Sequence, residues 1–224
     1  MGVPSGASSS QKGSLDPVRV FIVDDQELVR HGLRSLLEGE GIEVVGDCAA
    51  RREAGRRIVD GGTTVAVLKG PLPDGTGIEV CRDARSLNAD LQCLLITSHV
   101  DEEVLSAIVL AGAAGYLLRT LRGRQIADTI RRAAAGESLL HPGALEQARA
   151  GLAKAQVDPI FDGLTPAEKT VLALAADGRT NPQISEAMVL TEQTVRELVS
   201  GLLPKLGFGD GSPAVEAPRT HHTP

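Results

Sequence analysis

No run of this 224-residue chain approaches the roughly 18 consecutive apolar residues that a membrane-spanning helix needs. The opening stretch, MGVPSGASSSQKGS, has no apolar segment either, so it does not read as a secretory signal. It also misses the myristoylation pattern, because Gly6 stands where Ser or Thr is required. Cysteine is scarce and odd in number: Cys48, Cys81 and Cys93 lack metal-ligand spacing and cannot make a disulfide framework. They read as small buried hydrophobes in a reducing cytoplasm. Basic residues are not in surplus. The formal net charge of −6 disfavours a generic polyanion binder, though a local basic face remains compatible with it. Aromatics are nearly missing, with three Phe, one Tyr and no Trp, in a composition otherwise ordinary for a soluble globular protein.

What is present is an alternation of short apolar runs and amphipathic stretches from Val18 to about Gly136. Val18–Val23 reads as a strand ending in Asp24-Asp25. Leu28, Val29, Gly32, Leu33, Leu36 and Leu37 then share one helical face. Ile42–Val45 is a short strand, and Ala49–Val59 a polar helix. Val65–Leu68, bounded by Gly61-Gly62 and Gly70-Pro71, has the continuous apolar character of a strand buried on both faces. A Pro/Gly-punctuated loop follows, with Lys69 at its mouth, then a helix from about Ile78 to Leu87. Leu91–Thr97 is a fourth strand, and Asp101 can cap the helix after it. Gly115–Leu118 is a fifth strand, and Ile126, Ile130 and Ala133 mark the last helix. Five strands alternating with five helices predict a doubly wound α/β domain with a parallel sheet. Its chemistry belongs at the carboxyl end of the strands.

His141-Pro142-Gly143 stops that domain, and Ala144–Ala155 reads as a linker helix. A small all-α unit follows. Thr165-Pro166-Ala167-Glu168 is a capping box with proline at the first helical position. Thr180-Asn181-Pro182-Gln183 repeats the box for a shorter helix, and Asp177-Gly178 separates the two. Thr191 caps a third helix carrying Val195, Leu198, Val199, Leu202 and Leu206 on one face. This is a helix-turn-helix order. Pro204 lies inside the third helix and predicts a kink or an early end near Leu203. The expected divisions are a disordered tail over 1–16, an α/β domain over 17–139, a linker over 140–161, the helix-turn-helix domain over 162–207 and a disordered tail over 208–224.

Asp24-Asp25 after the first strand, Leu72-Pro73-Asp74-Gly75 after the third, Thr97 at the end of the fourth and Gly115-Tyr116-Leu117-Leu118-Arg119 on the fifth together resemble a two-component response regulator. The stretch LTPAEKTVLALAADGRTNPQISEAMVLTEQTVRELVSGLLPKLG resembles a NarL/LuxR-type DNA-binding domain, most like that of actinobacterial dormancy-type regulators. The resemblance implies a receiver in which an aspartate accepts a phosphoryl group, the acidic pair binds Mg²⁺, and a threonine, an aromatic residue and a lysine relay the switch. Asp24 and Asp25 match the pair, Thr97 the switch threonine and Tyr116 the switch aromatic. The acceptor position holds Lys69, and the usual lysine is Arg119.

An ordinary pocket of three carboxylates and one lysine carries −2, which a divalent cation neutralises. Here two carboxylates face two cations, and the sum is zero. Mg²⁺ loses a hard oxygen ligand and meets two positive charges. The expectation is therefore no metal, no cofactor and no aspartyl phosphorylation. Two geometries remain open: Lys69 bridges to the acidic pair and fixes the receiver in one state, or the site has decayed and Lys69 points into solvent. Asp74 is a weaker substitute acceptor.

The resemblance also makes Gln193, Thr194, Arg196 and Lys205 DNA-contacting candidates, with Asn181 and Gln183 near the backbone. Against strong binding stand Glu197 on the presumed DNA face and the balance from Asp162 onward, where five cations oppose eight anions. The expected function is a phosphorylation-independent, DNA-binding transcriptional regulator, cytoplasmic, not an enzyme, and a homodimer or a heterodimer with another regulator. The alternative is a regulator-derived interaction module with little DNA binding.

Overall fold

The structure is a computed structural model and describes residues 17–98, 102–140 and 163–208, with 143, 146–148 and 150 between them. The expected cap Asp101, the linker helix Ala144–Ala155 and both tails lie wholly or mostly outside the described residues.

Five parallel strands form the central sheet: β1 (Arg19–Val23), β2 (Glu43–Cys48), β3 (Val65–Lys69), β6 (Gln92–Thr97) and β7 (Gly115–Leu118), in the order β2-β1-β3-β6-β7. Between β3 and the next helix a two-rung hairpin, β4 (Pro71–Leu72) and β5 (Gly75–Thr76), rises from the loop after Lys69. All five residues of β3 are buried, as expected of a central strand covered on both faces. Alternate side chains divide the core. Val20, Ile22, Val65, Val67, Leu94 and Ile96 belong to the apolar layer that also holds Leu37 and Ile126, from helices α1 (Glu27–Gly39) and α5 (Gly123–Ala134). Phe21, Val23, Ala66, Leu68, Cys93 and Leu95 belong to the layer of α2 (Arg51–Asp60), α3 (Gly77–Leu87) and α4 (Glu102–Ala111). Each fully buried aliphatic side chain of this kind contributes about 1.5–3 kcal/mol.

Helix α3 starts with a reciprocal cap, Thr76-Gly77-Ile78-Glu79. Glu79 N donates to Thr76 Oγ1 at 3.2 Å, and Thr76 N donates to Glu79 Oε2 at 2.9 Å. Gly77 beside it allows a close crossing, since a Cβ there would sit 2.3 Å from the carbonyl oxygen of Lys69.

From residue 163 on, the described residues form three helices: α6 (Pro166–Ala176), α7 (Asn181–Met188) and α8 (Glu192–Lys205). Thr165 and Glu168 make the expected box, and Thr191 Oγ1 accepts from Thr194 N at 3.1 Å. Helix α8 does not end early. It runs through Pro204 to Lys205, two residues past Leu203. Proline falls in the last turn, where the backbone bond it removes is close to the frayed end and costs less than one in the interior.

The two units share one core. The apolar cluster over α3 and α4 continues through Val171 and Leu172 of α6 into Val199 and Leu202 of α8, and ends at Phe208. Phe208 is 6% exposed. It lines a recess with Gly70, Pro71, Thr76 and Thr97, at the carboxyl end of the sheet.

Candidate functional site

The sheet brings Asp24, Asp25, Lys69, Thr97 and Arg119 to its carboxyl edge. Lys69 does not point into solvent. It is 5% exposed, and its Nζ lies 2.6 Å from Asp25 Oδ1. Asp24 is fully buried; its Oδ1 accepts from Gln26 N at 2.8 Å, while its Oδ2 has no partner among the described residues. The two carboxyls diverge accordingly. Burial pushes Asp24 above the ordinary carboxylate value, against the opposing pull of the Gln26 amide, Lys69 and Arg119. Burial also acts on Asp25, but the hydrogen bond and charge of Lys69 outweigh it and hold Asp25 below that value. Thr97 is 2% exposed, and its carbonyl accepts from Arg119 N at 2.9 Å. Tyr116 is half-buried against the core, one strand over.

This donor set does not suit a hard divalent cation. One of the two carboxylates is taken by an ammonium, and a second cation, Arg119, acts on the other. Asp74 serves another purpose. It accepts from Arg51 N at 2.7 Å and from Arg52 N at 3.1 Å, and so caps α2. Burial acts to raise the Asp74 carboxyl, but those amides and the Arg52 guanidinium hold it below its usual value.

The candidate DNA-contacting residues are dispersed, and two of them, Asn181 and Arg196, face the receiver. Asn181 is 1% exposed, and its Oδ1 accepts from Arg82 Nε of α3 at 2.9 Å. Arg82 also donates to the carbonyls of Leu110 at 2.7 Å and Arg179 at 3.1 Å. Burial pushes this arginine down to about 10, since each of those acceptors is neutral. Arg196 Nε lies 3.3 Å from Asp83 Oδ1 of the same receiver helix, and Asp83 is also 3.4 Å from Arg51. Burial raises the Asp83 carboxyl even so. Ser200 Oγ donates to Glu79 Oε1. Gln193 donates to Glu197 at 2.9 Å and accepts from Arg196 at 3.2 Å, within the exposed part of α8. Thr194 is half-buried in the first turn, and Gln183 is exposed with its Oε1 on Thr180 N. Lys205 is tied back to Glu168 at 2.8 Å and to the Gly163 carbonyl at 3.0 Å. Sequence reasoning missed Glu79, Arg82 and Asp83. The local pattern of α3 marks none of them, and their contacts with the second unit follow only from packing.

Residues 20–131 match the response regulator receiver domain, and residues 162–216 match the bacterial regulatory proteins of the luxR family. The chain is 44% identical, over 85% of its length and 89% of the relative's, to the DNA-binding transcriptional activator DevR/DosR of Mycobacterium tuberculosis. It is 32% identical to the transcriptional regulatory protein LiaR of Bacillus subtilis, over 91% of this chain and 98% of that protein. Among solved structures, a LuxR-family two-component response regulator from Aurantimonas aligns with a TM-score of 0.53 and 27% identity, over 63% of this chain and 99% of the other. The receiver domain of a NarL regulator from Mycobacterium tuberculosis aligns at 0.51 and 30%, over 54% of this chain and 98% of the other. The chain therefore belongs to the two-component response regulators of the luxR family, with a receiver domain followed by a LuxR-type helix-turn-helix domain.

Proposed function

We propose that this protein is a cytoplasmic DNA-binding transcriptional regulator whose receiver works without aspartyl phosphorylation. The observation that carries the reading is the buried Lys69–Asp25 pair at the position where the family resemblance puts an acceptor aspartate. A lysine cannot form an acyl phosphate, and its ammonium already pairs with a carboxylate that a metal would need. The pair is not in itself a large source of stability, because desolvation offsets much of the attraction. Its proposed role is to hold the receiver in one state. The relatives' names, a DNA-binding transcriptional activator and a transcriptional regulatory protein, support the DNA-binding half. In this reading Arg196, Gln193 and Thr194 reach bases or phosphates. The chain acts as a homodimer or a heterodimer, with domain limits near 17–139 and 162–207.

A second reading draws on a specific observation. Asn181 is buried against α3 and Arg196 is paired with Asp83, so part of the presumed DNA face is turned inward, and Glu197 sits on what remains. This supports an interaction module that pairs with another regulator and binds DNA weakly. Fluorescence-anisotropy titration of the full chain against its own promoter DNA and a scrambled duplex, at two salt concentrations, separates the readings. Selective binding is the expected result. Weak binding with no sequence preference would favour the second reading.

A further inference from the structure

A cleft of about 570 Å³ opens where α2, α3 and α8 meet. Arg51, Arg52 and Arg56 enter it from α2, and Arg196 from α8. Its acidic residues are Asp74 and Asp83. Four guanidiniums against two carboxylates leave the lining at +2, in a chain whose formal charge is −6. Asp74 is committed to the α2 amides and to Arg52, 3.0 Å away. Asp83 is shared between Arg51 and Arg196. Two further carboxylates touch the same arginines without lining the cleft: Glu79 reaches Arg51 at 3.0 Å from its 7%-exposed capping position, and Glu192 reaches Arg196 at 3.1 Å, so the wider cluster of four arginines and four carboxylates sums to zero and the excess positive charge is confined to the lining. Arg56 is exposed and has no carboxylate partner among the described residues.

Guanidinium forks match phosphate oxygens in pairs, and Arg52 and Arg56, both exposed, present theirs at the cleft. The volume falls within the range of about 300–1,000 Å³ typical of small-molecule sites. We propose that this cleft binds a small phosphate-rich anion, of the nucleoside-polyphosphate or polyphosphate class. Arg52 and Arg56 engage it from the receiver, and Arg196 from the helix-turn-helix domain. Such a ligand bridges the two domains. Arg196 cannot serve it and a DNA phosphate together, so the ligand lowers DNA affinity by holding α8 against α3. That consequence rests on the DNA-binding reading above, whereas the binding itself does not.

The test is isothermal titration calorimetry of the full chain with inorganic tripolyphosphate at physiological salt. Saturable one-to-one binding is expected. Arg56→Ala weakens it, and the Arg52→Ala/Arg56→Ala pair weakens it at least tenfold, while Arg131→Ala, an exposed arginine of α5, leaves it unchanged. No saturable heat at millimolar ligand overturns the proposal. So does an equal loss from Arg131→Ala, which would mean diffuse attraction only. In anisotropy, tripolyphosphate lowers the DNA affinity of the wild type but not of the double variant. If the ligand binds as expected while no duplex binds at all, the cleft stands and the DNA-binding reading falls.

Discussion

Arg82 of the receiver donates its Nε to Asn181 Oδ1 of the helix-turn-helix domain at 2.9 Å, and both side chains are almost fully enclosed. An arginine with only neutral acceptors is held there by hydrogen bonds and not by a counter-ion. Removing it leaves the Asn181 amide oxygen and two carbonyls without their donor, at a cost of about 1–3 kcal/mol for each buried group left unpaired. Arg82→Ala should therefore lower the melting temperature and separate the domains. Small-angle scattering should report an expanded chain, and DNA affinity should rise because Asn181 and Arg196 are released. A variant as compact as the wild type, with unchanged affinity, would show that this contact does not hold the domains together.

The Arg196–Asp83 pair makes a different kind of prediction. Both side chains are about a third exposed, so the pair contributes no more than about 1 kcal/mol and weakens with salt. Asp83→Asn should raise DNA affinity modestly, several-fold at low salt and less at high salt. Arg196→Ala should abolish whatever sequence-selective binding exists. Unchanged affinity in the arginine variant would show that α8 is not the reading element.

Lys69→Asp restores the third carboxylate of the pocket and takes its sum from zero to −2. The variant should gain Mg²⁺ affinity, readable by calorimetry, and should label with acetyl phosphate where the wild type does not. Gain in neither assay would mean that Lys69 alone is not the block, and attention would pass to Arg119.

The helix-turn-helix domain should lose stability in acid for an identifiable reason. Burial acts to raise Glu168, yet its bonds to Lys205 and Thr165 prevail and hold it below the ordinary glutamate value. A depressed folded-state value contributes stability that is complete above the unfolded value, about 4.3, and is lost as pH falls through the folded one. Glu168→Gln should flatten the pH dependence of the melting temperature below about pH 5, while lowering it at neutral pH. An unaltered pH profile would remove Glu168 from the account.

Gly77→Ala should be among the most damaging single substitutions. The added Cβ meets the Lys69 carbonyl oxygen at 2.3 Å and the Leu68 side chain at 3.3 Å, and the first of these is backbone that cannot step aside. Thermal melting of the variant against Gly32→Ala, which has open space around it, provides the comparison.

The fold is legible in the sequence because its signals are local. The apolar run Val65–Leu68 announces a strand buried on both faces, and Thr165, Thr180 and Thr191 announce three helix starts. Lys69 is legible too, through its spacing to Leu72–Gly75, though not whether it reaches Asp25 or the solvent. The end of α8 is misjudged from sequence because the effect of a proline depends on how near the helix terminus it falls, and packing of Leu202, Leu203 and Phe208 supports the turn around Pro204. What sequence alone does not convey is that Glu79, Arg82 and Asp83 meet residues about a hundred positions further along. A charged stripe on a helix looks the same whether water or another domain lies against it.

Phe208 ties the helix-turn-helix domain to the receiver at the carboxyl end of the sheet. Its ring closes a recess walled by Gly70, Pro71, Thr76 and Thr97, beside the strand that carries Lys69. On the proposed DNA-binding reading, DNA that draws α8 away from the receiver also draws Phe208 out of that recess. By reciprocity of linked equilibria, whatever tightens the recess opposes the operator, and the operator loosens the recess to the same degree.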